Sequence, residues 1–149
     1  MKKWMLKWSI DIAATPEKIW NVLLADKTYR VWTSVFHPGS YAETDWKEGS
    51  KALFKTPEGG GMISKVVRHN PGKIIVLEHY GVLKNGEEVF EGETVEKWAG
   101  TTETYRLESK NGISTLFIEQ GIEESYIDWF KTTWEKALQK VKELSESEN

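Results

Sequence analysis

The clearest hydrophobic pattern in this chain lies near its C-terminal end, between Ser125 and Leu144. Large apolar side chains recur there at intervals of three and four residues, which places them on one stripe of an α-helix. Ser125 stands at the position of an N-cap, and Asp128 follows in a capping-box position. The pattern predicts one long amphipathic helix that needs a concave cover for its apolar stripe. The stripe consists of Ile127, Phe130, Trp134, Leu138, Val141 and Leu144.

The N-terminal part of the chain predicts one strand and two short helices. Residues 4–12 alternate between apolar and polar side chains, the period of a half-buried strand. Thr15 and Pro16 are an N-cap followed by proline at the first helical position, so a short helix is expected to run to about Leu24. Asp26 is placed to cap a second short helix.

The middle of the chain, residues 39–121, carries strand and turn signals. Ile74–Leu77 is a continuous apolar run, typical of a central strand. Asn85–Gly86 and Asn111–Gly112 are two-residue hairpin signals, and Gly59–Gly61 marks another turn. The acidic segment Glu87–Gly100 is interpreted as an exposed excursion between two strands, with one helical turn near its end.

These elements together predict an α+β fold. A strand, two short helices, about six further antiparallel strands and one long helix follow each other along the chain. A 20-residue helix and a sheet of about seven strands both span roughly 30 Å, so a twisted sheet can wrap the helix. We expect a single domain over residues 1–149, whose tail, Ser145–Asn149, frays.

Composition narrows the function classes. The net charge of -3 gives no electrostatic reason to expect binding to nucleic acid or to an anionic membrane. No apolar run approaches the ~20 residues of a membrane span, so membrane insertion is not expected. The chain has no cysteine, and Lys7 and Asp11 interrupt the apolar run that a signal peptide needs. A cytoplasmic location is the resulting expectation, and the oligomeric state stays open.

Two segments resemble a known superfamily. Ala13–Trp20, continuing to Tyr29–Trp32, is similar to the opening of START-like (SRPBCC, birch-pollen-allergen-like) proteins. Thr133–Val141 resembles the closing helix of one branch, the C-terminal domain of the activator of the heat-shock protein 90 ATPase. The resemblance implies a helix-grip fold, in which a curved antiparallel sheet of six or seven strands grips the C-terminal helix, often around a cavity. It also implies that members bind lipids, sterols, hormones or polyketides, and that some are cyclases or hydrolases.

The sequence offers no recognisable catalytic or metal-binding constellation. His37, His69 and His79 have no partner at metal-ligand spacing; the first two precede turns and are expected in solvent. Gly59–Gly61 lacks the Lys-Ser/Thr and the helix of a phosphate loop. The glutamates of residues 87–96 lack calcium-loop spacing and are interpreted as a solvated face. We therefore expect no cofactor and no metal.

Three polar side chains can reach a cavity if strand alternation holds. If Val76 points inward, Glu78 does so too. By the same alternation Glu103 shares a face with Tyr105, and Gln120 shares one with Ile118. A single bulge would reverse these assignments, and the alternative is that each group lies at a strand end in water.

Three hypotheses follow. The first is a non-enzymatic protein that binds a small apolar or lipid-like molecule between the sheet and the long helix. The second is a co-chaperone-like interaction domain with a chaperone as its partner. The third is a cyclase- or hydrolase-like enzyme, which needs Glu78, Glu103 or His79 to meet in the pocket. Candidate lining residues are Trp32, Phe54, Val76, Glu78, Tyr105, Ile118, Phe130, Trp134 and Leu138.

Overall fold

The computed structural model describes residues 2–147, and its elements follow the predicted order. The helices are α1 (Pro16–Leu24), α2 (Asp26–Trp32), α3 (Glu93–Trp98) and α4 (Ile127–Glu146). The strands are β1 (Lys3–Ile12), β2 (Tyr41–Glu43), β3 (Lys51–Lys55), β4 (Gly61–Asn70), β5 (Ile74–Lys84), β6 (Glu87–Val89), β7 (Thr102–Lys110) and β8 (Ile113–Glu123). Single 3₁₀ turns follow α2 and precede α4. The α+β fold class and the helix-grip arrangement are confirmed.

All eight strands described between residues 2 and 147 belong to one antiparallel sheet. Their order across the sheet is β1-β8-β7-β5-β4-β3-β2, and β6 adds to β5 beside this path. Both two-residue hairpins are confirmed: Asn85–Gly86 and Asn111–Gly112 have positive φ at both positions. That backbone geometry matches the right-handed twist of the flanking strands. The short strand β2 carries no periodic signal and was not predicted, whereas β6 is the second strand of the Asn85–Gly86 hairpin and opens the segment that was interpreted as an exposed excursion.

The long helix lies on the concave face of this sheet, as the apolar stripe predicted. Trp134, Leu138 and Val141 are buried, together with Ala137. At the other end of the helix, the Lys142 ammonium donates to the Asp11 carbonyl at 3.0 Å. These contacts fix both the rotation and the tilt of α4 against β1 and α1.

Three local predictions at helix ends are wrong. Ser125 does not cap α4, because a 3₁₀ turn at Glu124–Tyr126 comes first and the helix begins at Ile127. Ser125 instead donates its backbone N–H to the Glu123 carboxylate at 3.0 Å. Asp26 is the first residue of α2 rather than its cap, and it pairs with Arg30. The C-terminal tail is helical through Glu146, and residues 148 and 149 lie outside the described range.

None of the helices described within residues 2–147 combines the length and apolar character that crossing a bilayer requires.

Shortening one buried side chain of α4 tests the packing of helix on sheet. Leu138→Ala removes a side chain that is 4 % exposed, so we expect a loss of roughly 2–5 kcal/mol in the free energy of unfolding. Gln139→Ala, on the exposed side of the same turn, is expected to change it by less than about 0.5 kcal/mol. Urea unfolding of both variants measures the two changes in the free energy of unfolding. Equal losses would mean that Leu138 does not face the sheet.

Candidate functional site

A cavity of about 380 Å³ lies between the concave face of the sheet and the first half of α4. Half of its lining residues are aromatic, and they come from α2, the following segment, the sheet, α3 and α4. The aromatic lining residues are Tyr29, Trp32, Phe36, Tyr41, Phe54, Trp98, Tyr105, Trp129, Phe130 and Trp134. The remaining lining residues include Met62, Thr33, Ser40 and Thr56, with His37, Lys55, His79, Glu103 and Gln120 as polar or charged groups.

Five of the nine candidate residues line this cavity: Trp32, Phe54, Tyr105, Phe130 and Trp134. Two others, Ile118 and Leu138, are buried in the apolar core and do not line it. The last two, Val76 and Glu78, are placed wrongly by the prediction. On β5 the buried positions are Ile75, Leu77 and His79, so Val76 and Glu78 point to the convex face. The run Ile74–Leu77 is apolar at every position, and therefore carries no information about which side chains face inward.

A β-bulge in β5 brings Ser64 opposite His79, one of the polar residues that line the cavity. Ile63 on β4 pairs with Gly81 on β5, but the next residue, Ser64, pairs with His79 rather than Tyr80. Tyr80 is the extra residue and turns outward, where its ring stacks on Phe90 at 5.9 Å. Because the bulge skips one residue, Ser64 and His79 both face the interior.

The buried contact between Ser64 and His79 determines the protonation pattern of the imidazole. The Ser64 hydroxyl and His79 Nδ1 are 2.5 Å apart, and both residues are almost fully buried. This is the one hydrogen bond given for the Ser64 hydroxyl among the described residues, so we assign the hydroxyl as the donor and Nδ1 as the acceptor. Neutral His79 then carries its proton on Nε2, which faces Glu103.

Glu103 provides the one acidic group among the described residues that line the cavity. The Tyr105 hydroxyl donates to Oε2 of this carboxylate, whereas Oε1 lies 3.6 Å from His79 Nε2. That separation is too long for a hydrogen bond. Within residues 2–147 Oε1 has no hydrogen-bond donor, and it remains available to the cavity. Of the two orientations left open for Glu103, the structure has the inward one that strand alternation with Tyr105 implies.

Gln120 presents its amide N–H₂ group at the same end of the cavity. Its carbonyl Oε1 accepts from the Trp134 indole N–H at 2.6 Å. An indole nitrogen can only donate, so this bond fixes which end of the amide faces Trp134. The amide nitrogen has no hydrogen-bond partner in the described chain and lies on the cavity side. Of the two orientations left open for Gln120, the structure has the inward one that strand alternation with Ile118 implies.

Lys55 and His37, two of the polar lining residues, each lie beside a carboxylate. The Lys55 ammonium lies 3.0 Å from Glu43, and this contact raises the pKa of Lys55. His37 Nε2 lies 3.5 Å from Glu58, while Nδ1 donates to the Pro38 carbonyl at 2.9 Å. Both residues are partly exposed, so positive charge is confined to the region of the cavity nearest solvent.

The contacts from Ser64 through His79 to Glu103 resemble a catalytic triad only in composition. Ser64 is 0 % exposed and lies behind His79, outside the cavity lining. Its hydroxyl therefore cannot reach a substrate, and its role is to hold the imidazole ring. Of the three groups named in the enzyme hypothesis, His79 and Glu103 meet in the cavity and Glu78 does not.

Several lining residues were missed from the sequence, for different reasons. Tyr29 and Trp32 have the spacing of one helical face, so α2 offered a signal for Tyr29. Phe36 and His37 come from an irregular segment without periodicity, and no sequence pattern identifies them. His69, expected in solvent, is half-buried: its Nε2 accepts from Trp20 Nε1 at 2.9 Å and its Nδ1 donates to the Trp46 carbonyl at 2.7 Å. It belongs to the packing beneath α1 and not to the cavity.

Comparison with protein-family models and with curated proteins gives no match to this sequence. Solved structures do match over almost the whole chain. MLL2253 from Mesorhizobium loti has a TM-score of 0.74 at 15% identity, covering 95% of this chain and 96% of that one. The Aha1 dimer from Colwellia psychrerythraea, solved in solution, has a TM-score of 0.70 at 21% identity, covering 96% of each. CalU16 from Micromonospora echinospora has a TM-score of 0.66 at 15% identity, covering 97% of this chain and 77% of that one.

These matches show that the chain shares the helix-grip fold of the three solved proteins, the fold that the resemblance implied. At these identities the likeness is one of backbone architecture.

Two buried phenols give the site a measurable response to alkali. Burial, followed by the nearby Glu103 carboxylate, raises the pKa of Tyr29 and of Tyr105 above the ordinary value of 10.0. Deprotonation therefore favours the unfolded chain: their contribution to stability is complete below pH 10 and is lost as the pH rises further. We expect Tyr29 to ionise together with alkaline unfolding and not before it.

Tyrosinate absorbance, followed alongside near-ultraviolet circular dichroism, checks this expectation. Tyr29→Phe is expected to reduce only the part of the absorbance change that coincides with unfolding. A reduction in the folded baseline would contradict the burial of this phenol.

Proposed function

We propose that this protein binds a small, mainly apolar molecule in the cavity between its sheet and α4. The observation that carries the proposal is a cavity of about 380 Å³ whose lining is half aromatic, with His79, Glu103 and Gln120 close together at one end. Ligand sites typically measure roughly 300–1,000 Å³ and combine an apolar lining with a few placed polar groups. The volume favours a ligand of one or two rings, or a short chain, over a two-chain lipid.

The aromatic wall supplies most of the expected affinity. Trp32, Phe36 and Trp134 pack against one another with ring centroids 4.9–6.5 Å apart, so their faces and edges are held in place before a ligand arrives. Burying apolar ligand surface against such rings contributes roughly 25 cal/mol per Å² before the ordering costs of binding. A wall that is already formed keeps those ordering costs small.

The polar end supports orientation of the ligand. Glu103 Oε1 and the Gln120 amide face the cavity without protein partners among the described residues. A ligand with a polar group at one end can replace the water that these atoms would otherwise bind. These two polar groups can orient a bound ligand without taking part in a reaction.

A second candidate is a co-chaperone-like role as a protein-interaction domain. The likeness in fold to the Aha1 dimer favours it, as does Trp129, whose ring is 48 % exposed at the start of α4. Such a role needs an exposed contact surface. Titration of purified heat-shock protein 90 against this protein by calorimetry tests it, and the absence of heat at micromolar concentrations would remove the candidate.

Blocking the cavity from within tests the ligand-binding proposal. Met62 lines the cavity from β4 and is half-buried, so Met62→Trp is expected to fill space that a ligand would use. The neutral dye N-phenyl-1-naphthylamine is a suitable probe because its emission rises in apolar sites. We expect the dye to bind the natural protein and to bind the Met62→Trp variant at least about tenfold more weakly, a loss of about 1.4 kcal/mol.

Val67→Trp is the matched control. Val67 is on the same strand, but it is the bulged residue between Val66 and Arg68 and is 40 % exposed. The same ring added there is expected to leave dye binding unchanged. Equal binding by both variants, or no binding by the natural protein, would reject the internal site.

A further inference from the structure

The acidic group of the cavity wall restricts which ligands the cavity can accept. Glu103 has a side chain that is 15 % exposed, and one of its oxygens, Oε2, already accepts from Tyr105. The other oxygen, Oε1, faces the cavity with no donor in the described chain. A ligand that fills this space removes water from Oε1. Leaving a charged acceptor without a hydrogen bond is more costly than leaving a neutral group without one.

A donor stands beside this acceptor. His79 Nε2 carries a proton because the Ser64 hydroxyl occupies Nδ1, and it lies 3.6 Å from Glu103 Oε1. The two atoms are too far apart to bond to each other. They are close enough for one oxygen atom of a ligand to lie within hydrogen-bond distance of both.

We propose that the cavity selects neutral molecules that carry a hydroxyl group, a phenol or an alcohol on an apolar body. The hydroxyl donates its proton to Glu103 Oε1, and its oxygen accepts from His79 Nε2–H. The inference rests on the proposed function and adds to it the chemical class of the ligand. The Gln120 amide N–H₂ supplies a further donor at this end of the cavity.

Other ligand heads satisfy this site less well. An ether or a ketone can accept from His79 but leaves Glu103 Oε1 without a donor. A carboxylate adds a second negative charge beside Glu103, and like charges at such distances are unfavourable in a buried site. The lysine of the described lining, Lys55, is already paired with Glu43, and His37 lies beside Glu58.

A set of four naphthalenes with the same ring and different heads tests the proposal by isothermal titration calorimetry. They are 2-naphthol, 2-methoxynaphthalene, naphthalene and 2-naphthoate, and all are measured against the full chain at pH 7. We expect 2-naphthol to bind at least about tenfold more tightly than 2-methoxynaphthalene, the factor that one hydrogen bond to a charged group typically contributes. We expect 2-naphthoate to bind most weakly of the four.

Two substitutions of glutamate by glutamine show which carboxylate causes the preference for 2-naphthol. Glu103→Gln keeps the shape of the side chain and an acceptor for Tyr105 but removes the charge at the cavity. It is expected to reduce the preference for 2-naphthol over 2-methoxynaphthalene to less than about threefold and to improve binding of 2-naphthoate. Glu78→Gln removes the same charge on the convex face and is expected to leave the order of the four ligands unchanged.

The failures of the two proposals are distinguishable. If naphthalene or 2-methoxynaphthalene binds as tightly as 2-naphthol, the internal site stands and the selection for hydroxyl groups is wrong. Tight binding of 2-naphthoate by the natural protein would also overturn it. If none of the four binds, the proposed function fails and this inference fails with it. The natural protein alone gives these results, so the test does not depend on the folding of the Glu103→Gln variant.

Discussion

The contact between the Trp134 indole and the inner face of the sheet is the interaction on which the rest of this structure depends. Its ring packs against Trp8, Trp32, Phe36 and Tyr105, with centroid distances of 4.9–6.0 Å. Its N–H donates to Gln120 on β8. One side chain therefore connects the long helix to the three neighbouring strands β1, β8 and β7, to α2 and to the segment after it. Burying the indole N–H without an acceptor would cost free energy, and the Gln120 carbonyl supplies that acceptor.

The same contact explains why a cavity lies beside a densely packed core. Beyond Trp134, toward the helix C-terminus, the inward residues of α4 are Ala137, Leu138 and Val141, and these pack closely on β1 and α1. Toward the N-terminus the rings of Phe130 and Trp129 lean on Phe36 and leave space beneath them. Large rigid rings cannot rearrange to fill that space as aliphatic side chains would. The alternation along β5 directs His79 into the cavity beside Glu103 of β7, and the bulge at Tyr80 brings Ser64 opposite the imidazole.

The sequence predicts those features that repeat along the chain. The period of β1, the spacing of the α4 stripe and the two Asn-Gly hairpins each depend on local geometry, and each is confirmed. Val76 and Glu78 were wrongly predicted to face the cavity, because the apolar run in β5 does not alternate with polar residues and so does not show which side chains face inward. Ser64 gave no signal at all, since its meeting with His79 depends on pairing between two strands and on one extra residue. Phe36 and Trp98 come from segments whose positions are set by tertiary packing. Sequence periodicity thus identifies the walls of the cavity better than its polar groups.

A crystal structure of the protein with 2-naphthol bound shows both where the ligand lies and how its hydroxyl is held. We expect the naphthalene ring in the cavity, in contact with Trp32, Phe36 and Trp134, and its oxygen within about 3 Å of Glu103 Oε1 and His79 Nε2. A ligand bound only on the outer surface, or an interior filled by the aromatic side chains themselves, would contradict it.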